Sequence, residues 1–227
     1  MSGVAVIVPA AGAGARMGGV RKPFIELGGR AVLDWALTPF LVRDDVVELV
    51  VALGGGAARE QLAQADPRIR VVSGGTSRFE SVANALDHLK SQAGVVAVHD
   101  GARPFPLPAV IDACFRLAAG GCGAVAGVPA VDTIKETAGD QIVGTPRRDA
   151  LWYAQTPQAF PRGVFEEAVA HCRGSGLSPT DDAAMVEEMG ARVRMVPSSA
   201  INLKITTPED LVVAEAYIAK GLVTFHV

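Results

Sequence analysis

Val4-Ala5-Val6-Ile7-Val8 runs directly into Pro9-Ala10-Ala11-Gly12-Ala13-Gly14-Ala15-Arg16-Met17-Gly18-Gly19. The first five residues are apolar throughout and rich in β-branched side chains, the pattern of a strand covered on both faces. The glycines that follow let the backbone turn tightly and bring its N–H groups against a ligand. Arg16 in the same loop, with Lys22 shortly after it, points to a phosphate as that ligand. Two phosphate fingerprints are excluded. A dinucleotide loop needs G-x-G-x-x-G, and Met17 stands at its third glycine; a Walker A loop needs Gly-Lys-Ser/Thr, which is absent. From the residues alone, a phosphate loop and a Gly-rich strand-to-helix turn with solvated basic residues both remain open.

Apolar runs like the first recur at Val46–Leu53, Ile69–Ser73, Val95–His99, Ala124–Val128 and Arg192–Val196. Helical patterns lie between them. The clearest is Ser77–Lys90, where Phe79, Val82, Ala83, Leu86 and Leu89 share one face. Strands apolar on both faces, alternating with helices, predict an α/β fold: a Rossmann-like, mainly parallel sheet flanked by helices. Ligands bind such sheets beyond the carboxyl ends of the strands, so the chemistry belongs in the loops that follow each strand. Thr207-Pro208-Glu209-Asp210 supplies an N-cap, a proline at the first helical position and acidic residues in the first turn of a last helix.

One segment departs from the alternation. Asp132–Thr137, then Ala-Gly-Asp, then Gln141–Gly144 reads as a hairpin with a glycine in its turn. Its side chains are too polar for a core strand. It is either a solvated surface hairpin or an arm that projects to pair with another subunit. We place it as an insertion at about residues 131–148 in a single domain spanning 1–227.

Composition bounds the function classes. The chain has 227 residues, 49% of them hydrophobic and 20% charged, which excludes a disordered chain. With 21 Lys+Arg against 24 Asp+Glu the net charge is −3, giving no general electrostatic case for nucleic acid or an acidic membrane surface. Cys114, Cys122 and Cys172 have no C-x-x-C spacing, so neither a disulfide framework nor a zinc site follows, and a reducing cytoplasm is the expected home. The N-terminal apolar run lacks the basic residues of a signal peptide and is too short to span a bilayer.

Five stretches in order now carry a resemblance. They are the opening P-A-A-G-x-G-x-R-M; Gly74-Gly75-Thr76-Ser77-Arg78-Phe79-Glu80-Ser81-Val82; His99-Asp100-Gly101-Ala102-Arg103-Pro104; Leu151-Trp152-Tyr153-Ala154-Gln155-Thr156-Pro157-Gln158; and Asn202-Leu203-Lys204-Ile205 through Pro208, Asp210 and Leu211. Thr180-Asp181-Asp182 fits as well. From Val4 to about Ala219 the chain resembles the 2-C-methyl-D-erythritol 4-phosphate cytidylyltransferases, within the sugar-type nucleotidyltransferases. The resemblance implies a reaction in which CTP and a polyol monophosphate give a CDP-polyol and pyrophosphate, with Mg2+. A phosphate already ionised at neutral pH needs no general base, so catalysis reduces to positioning and charge stabilisation, and cations should dominate the site.

On that resemblance Arg16 and Lys22 contact the CTP phosphates, with Arg21 a substitute for Lys22, because here the proline follows the lysine instead of preceding it. Lys204 joins from the opposite end of the sheet. Arg148 positions the attacking phosphate, reaching in from a neighbouring subunit, and Thr133 matches a substrate-contacting threonine on a dimerisation arm. That favours the arm over the surface hairpin and implies a homodimer. Base and ribose fall to Ala10, Ala11, Gly12, Gly14, Gly75, Arg78 and Ser81, although Ser81 also reads as an ordinary residue of a helix's first turn. Asp100 and Arg103 are expected to meet the polyol, with Asp100 facing its hydroxyls or magnesium. No protein ligand to magnesium is assigned, since the CTP phosphates would carry the ion. His99, ending an apolar strand, reads as packed and hydrogen-bonded, not catalytic. The competing readings are a ribitol 5-phosphate cytidylyltransferase, a non-catalytic nucleotide-binding relative that would have lost the cations, and a nicotinamide-dependent reductase, already weakened by Met17.

Overall fold

A computed structural model describes residues 3–12, 24–54, 58–177 and 179–224. The phosphate-loop residues Gly14, Arg16, Met17, Arg21 and Lys22 lie outside these. Seven strands form the central sheet: β1 (Val4–Ala10), β4 (Val46–Leu53), β5 (Ile69–Ser73), β6 (Val95–Val98), β7 (Gly123–Pro129), β10 (Trp152–Pro161) and β11 (Val193–Pro197). Their spatial order is β11-β7-β10-β6-β1-β4-β5. Every neighbouring pair is parallel except those of β10, which runs antiparallel to both β6 and β7. The α/β sheet expected from the apolar runs is present, and each of the six runs forms a strand of it. A separate two-residue ladder, β2 (Glu26–Leu27) with β3 (Arg30–Ala31), follows β1, and helix α2 (Ala58–Ala65) links β4 to β5.

Alternation along each strand feeds two cores. Val4, Val6, Val8 and Ala10 of β1 face one side with Val95 and Ala97 of β6, under helices α1 (Val32–Leu41) and α4 (Pro108–Ala119). Ile7, Val96 and Val98 face the other side, under α3 (Arg78–Asp87), α5 (Arg162–Ser175) and α6 (Asp182–Glu188). A small third cluster joins Trp35 and Phe105 to the last helix α7 (Pro208–Ala219) through Ile205 and Ala214. Thr207 caps α7 through the expected box, with Asp210 returning the bond to the Thr207 backbone.

The strand β10 is the structural finding that the sequence periodicity does not give. Gln155, Thr156 and Gln158 interrupt its apolar pattern, and Pro157 cannot donate to a ladder. The register against β7 breaks there, with Ala154 opposite Gly127 and Gln158 opposite Val125. Three residues of β10 bulge across one of β7, which frees Gln155 and Thr156 for bonds outside the ladder. Beyond the bulge, Phe160 stacks on Phe165 with ring centroids 5.1 Å apart.

The hairpin is shorter on its first side than expected: β8 (Glu136–Ala138) pairs with β9 (Gln141–Gly144), and Asp132–Lys135 lies outside the ladder. Its turn uses Gly139 at φ 64°, a left-handed conformation that suits glycine. The arm is exposed apart from the half-buried Ile134, Gly144 and Pro146, and its exposed residues include the apolar Val131, Ile142 and Val143. Among the described residues no helix is long and apolar enough to cross a membrane.

Phe160 is fully buried, so Phe160→Ala should cost about 3–5 kcal/mol of stability in chemical denaturation. A loss under about 1 kcal/mol would mean that β10 does not anchor the second core.

Candidate active site

The carboxyl ends of β1, β5 and β6 converge on the site. After β1, Ala10, Ala11 and Gly12 pass from buried to exposed. After β5, the chain folds tightly over the start of α3: a Cβ on Gly74 would overlap Ala11, and one on Gly75 would overlap Glu80. Only glycine permits both close approaches. Ser77 caps α3 by accepting from the Glu80 N–H at 3.1 Å. The Glu80 carboxylate turns back to accept from the backbone N–H and hydroxyl of Thr76, each at 2.6 Å. Ser81 locks loop to helix, its hydroxyl donating to Ser77 O at 2.9 Å and accepting from Gly75 N at 3.0 Å. One lone pair of that oxygen stays available to a ligand donor.

Asp100 is the centre of the charge network. It follows β6 and is buried, with its backbone N–H donating to Thr156 Oγ1 at 3.0 Å. Three cations meet its carboxylate. Arg78 Nε lies 3.1 Å from Oδ1; Lys204 Nζ lies 2.9 Å and Arg103 Nε 3.5 Å from Oδ2. Burial pushes the Asp100 carboxyl up, but Arg78, Lys204 and Arg103 together outweigh it and hold the group well below the usual carboxylate range. It is ionised at neutral pH.

Arg78 is shared. Its two terminal nitrogens grip Asp182 at 3.0 and 2.6 Å in a bidentate pair. Burial lowers its pKa, yet Asp182 and Asp100 prevail and raise it. Burial in turn pushes the Asp182 carboxyl up against the pull of Arg78. Arg103 is nearly enclosed, donates to Asn202 O at 2.8 Å, and has its pKa lowered by burial. Lys204 is the most accessible of the three, its side chain 40% exposed against 28% for Arg78 and 11% for Arg103. It is the cation best able to exchange Asp100 for a ligand phosphate.

His99 is packed as expected. It is fully buried, lies against Phe40 with centroids 5.0 Å apart, and burial pushes it down to about 4, so it is neutral. The structure brings Arg78, Ser81, Asp100, Arg103 and Lys204 together with Ala10–Gly12 and Gly75. It does not bring Thr133 and Arg148 to them. Both are exposed at the base of the arm, where Arg148 donates to Val131 O at 2.8 Å, and among the described residues no hydrogen bond ties either to the Asp100 network.

Several contributors carry roles that the sequence did not assign. Asp182 is the second carboxylate on Arg78. Asn202 donates to Gln155 Oε1 and Thr156 O at 3.0 and 2.8 Å. Gln158 holds the start of α6, accepting from Ala183 N at 2.9 Å and donating to Asp181 at 3.0 Å, while Asp181 caps that helix. Polar residues inside an otherwise buried strand were the available signal. An apolar cavity of about 260 Å³ lies elsewhere, between α1 and Pro104–Pro108. Its charged member, Arg43, is committed to Asp45 and Asp112, so it has no free charge for an anion.

A mainly parallel sheet with cations clustered at its carboxyl edge defines the class, an α/β protein suited to hold phosphates at strand ends. Residues 4–220 match the family profile of IspD: 2-C-methyl-D-erythritol 4-phosphate cytidylyltransferase. The chain is 40% identical over 224 residues to the protein of that name from Halalkalibacterium halodurans, covering 95% of this chain and 96% of that one. It is 42% identical to that of Syntrophotalea carbinolica, covering 95% and 96%. The crystal structure of the Thermus thermophilus enzyme superposes with a TM-score of 0.81 at 34% identity, covering 96% of this chain and 99% of that one. The Francisella tularensis structure gives 0.83 at 32%, covering 95% and 99%. This chain therefore belongs to the 2-C-methyl-D-erythritol 4-phosphate cytidylyltransferase family.

Removing the central carboxylate should expose the repulsion it offsets. Asp100→Asn should lose about 3 kcal/mol or more at neutral pH. Because the folded-state pKa is depressed, this stabilisation is complete above the unfolded value. The gap to the parent protein should therefore narrow as pH falls below about 4. Denaturation series across pH check this; a gap that stays constant through the acid range contradicts it.

Proposed function

We propose that this chain catalyses cytidylyl transfer from CTP to 2-C-methyl-D-erythritol 4-phosphate, a step towards isoprenoid precursors. The observation that carries the reading is the cation cluster on Asp100 at the carboxyl edge, in a chain that belongs to this family. A phosphate oxygen of the polyol attacks the α-phosphorus of CTP. The bond from that phosphorus to the β-bridging oxygen breaks, and pyrophosphate leaves with the electron pair. No proton transfer is needed from a protein group, which agrees with a neutral, enclosed His99.

Each cation has a part in this. Lys204 turns from Asp100 towards the reacting phosphates, and Arg16 and Lys22 close on the triphosphate from the loop after β1. Backbone of Ala10–Gly12 and Gly14, with Gly75 and the free lone pair of Ser81, reads the cytosine, whose exocyclic amine donates. Arg78 sets the position of Asp100, and Asp100 with Arg103 faces the polyol. Among the described residues no group of three or more His, Cys, Asp or Glu side chains could cage a metal. Asp100 is the carboxylate in reach of the phosphates, and magnesium binds through one or two carboxylates plus phosphates and water. The residues thus fit an ion carried in on the nucleotide. Bound there, it would draw charge from the leaving pyrophosphate.

We further propose a homodimer. Exposed Val131, Ile142 and Val143 give the arm apolar surface, with Ile142 and Val143 on opposite sides of β9, for a second copy, and Arg148 and Thr133 at its base would complete the partner's site. Three free thiols suit a reducing cytoplasm.

The test is pyrophosphate release from CTP and magnesium with each polyol phosphate in turn. Turnover with 2-C-methyl-D-erythritol 4-phosphate is expected; turnover with ribitol 5-phosphate alone would overturn the substrate assignment. In the same assay Lys204→Ala should lower kcat at least about a hundredfold, the usual effect of removing a transition-state charge contact. A near-normal rate would remove Lys204 from the mechanism.

A further inference from the structure

Behind the charged network lies a second circuit, made of hydrogen bonds, that shares Arg103 with it. Arg103 donates from its guanidinium to Asn202 O at 2.8 Å. Asn202 donates from its side-chain amide to Thr156 O at 2.8 Å. Thr156 Oγ1 lies 3.1 Å from His99 Nδ1, and His99 Nε2 lies 3.0 Å from Arg103 O. A carbonyl can only accept, so Nε2 must carry the proton. A neutral imidazole then leaves Nδ1 as an acceptor, and the Thr156 hydroxyl donates to it. That hydroxyl oxygen is in turn free to accept from Asp100 N at 3.0 Å.

The four bonds close head to tail: Arg103 to Asn202, Asn202 to Thr156, Thr156 to His99, His99 back to Arg103. All four residues are buried. Only at His99 does one bond feed the next through the same group, Nδ1 accepting while Nε2 donates; at the other three residues backbone and side chain take one bond each, so the ring acts by bracing. The ring also joins three remote stretches: the turn that carries Asp100 and Arg103, the bulge of β10, and the loop that carries Lys204. A backbone bond from Ile205 N to Ala102 O at 2.8 Å braces the same junction.

We propose that Thr156 and His99 are positioning residues for cytidylyl transfer, holding the Asp100–Arg103 turn and the Lys204 loop in register through this closed ring. The inference rests on the proposed activity. The ring touches neither Ala10–Gly12 nor Gly75 and Ser81, so it should govern the reacting phosphates and the polyol while leaving capture of the base alone. Within it, each atom has one job. Thr156→Val keeps the side chain's shape and removes the hydroxyl, opening the ring and stranding Asp100 N–H. Thr156→Ser restores the hydroxyl. His99→Gln keeps a donor near the Nε2 position, and His99→Asn keeps only an acceptor near Nδ1.

The experiment compares the parent protein with Thr156→Val and Thr156→Ser. Readouts are steady-state kinetics, CTP affinity by calorimetry, and 15N NMR of the His99 imidazole. Thr156→Val should lower kcat with the polyol phosphate by up to about a hundredfold, the scale of an ångström-level misplacement. CTP affinity, to which Lys204 contributes only one phosphate contact, should fall by a much smaller factor than kcat, and Thr156→Ser should recover most of the rate. NMR should show His99 protonated on Nε2 in the parent, with Nδ1 shifting when the hydroxyl is lost. Equal losses in CTP affinity and turnover, or failure of serine to rescue, would reduce Thr156 to a purely structural residue and overturn the proposal. So would a parent His99 protonated on Nδ1. If Thr156→Val fails to fold, His99→Gln and His99→Asn take its place, with Gln expected to retain more activity than Asn and the reverse order refuting the ring. A parent protein inactive on CTP and every polyol phosphate would refute the activity instead, and the tautomer measurement would still decide the ring.

Discussion

One buried carboxylate opposing three cations is the constraint on which the rest of the site depends. Asp100 meets Arg78, Arg103 and Lys204 within 3.5 Å, and among the described residues Asp182 is the second carboxylate paired with this set, on the far side of Arg78. Three cations against two carboxylates leave positive charge unspent where the parallel strands end. Desolvating such groups costs several kcal/mol per ion, which attraction repays only when geometry is good and the remaining polar atoms are bonded. That accounts for the surrounding order. Without Asp100 the cations would repel; without an incoming anion they stay under-neutralised. The net charge of −3 for the whole chain hides this, because the charge that matters is local.

The topology delivers the constraint. β1 and β6 lie side by side in the middle of the sheet, so the loops after them open at the same edge. Gly101 N and His99 N both bond back onto β1, which fixes the turn bearing Asp100. The antiparallel β10 brings its bulge to the same height from the opposite direction. The loop following β11 then crosses to place Asn202 and Lys204 against that turn. Segments distant in sequence thus meet at one residue: Arg78 of α3, Arg103 of the turn itself and Lys204 of the last loop by charge on the Asp100 carboxylate, and β10 through the Thr156 hydroxyl on its backbone N–H.

Much of this was legible in the sequence. The apolar runs mark six of the seven strands: β1, β4, β6 and β7 lie inside the sheet, largely buried on both faces, while β5 and β11 at its edges are covered over only part of their length. The resemblance identified Arg78, Asp100, Arg103 and Lys204 as members of one site, and they do meet. What escaped was pairing. β10 breaks the apolar pattern with Gln155 and Thr156, which the bulge sends out of the ladder, and with Gln158, which stays in it and turns its side chain to the start of α6. Thr180-Asp181-Asp182 enters only as part of the resemblance, with no partner given; Asp181 caps α6, and Asp182 faces Arg78 from 104 residues away. Periodicity records which face of an element is buried; it does not record which polar groups will find one another across the fold. The first strand of the arm began too early for a related reason, since Asp132–Lys135 has strand-like residues but no partner to pair with.

The most direct test of the central claim is a crystal structure of this chain with CTP bound. The triphosphate is expected at the carboxyl edge of β1 and β6, with Lys204 Nζ turned from Asp100 onto a phosphate oxygen while Arg78 keeps its grip on both Asp100 and Asp182. A triphosphate seated elsewhere, or a Lys204 that keeps its ion pair with Asp100 and touches no phosphate, would contradict it.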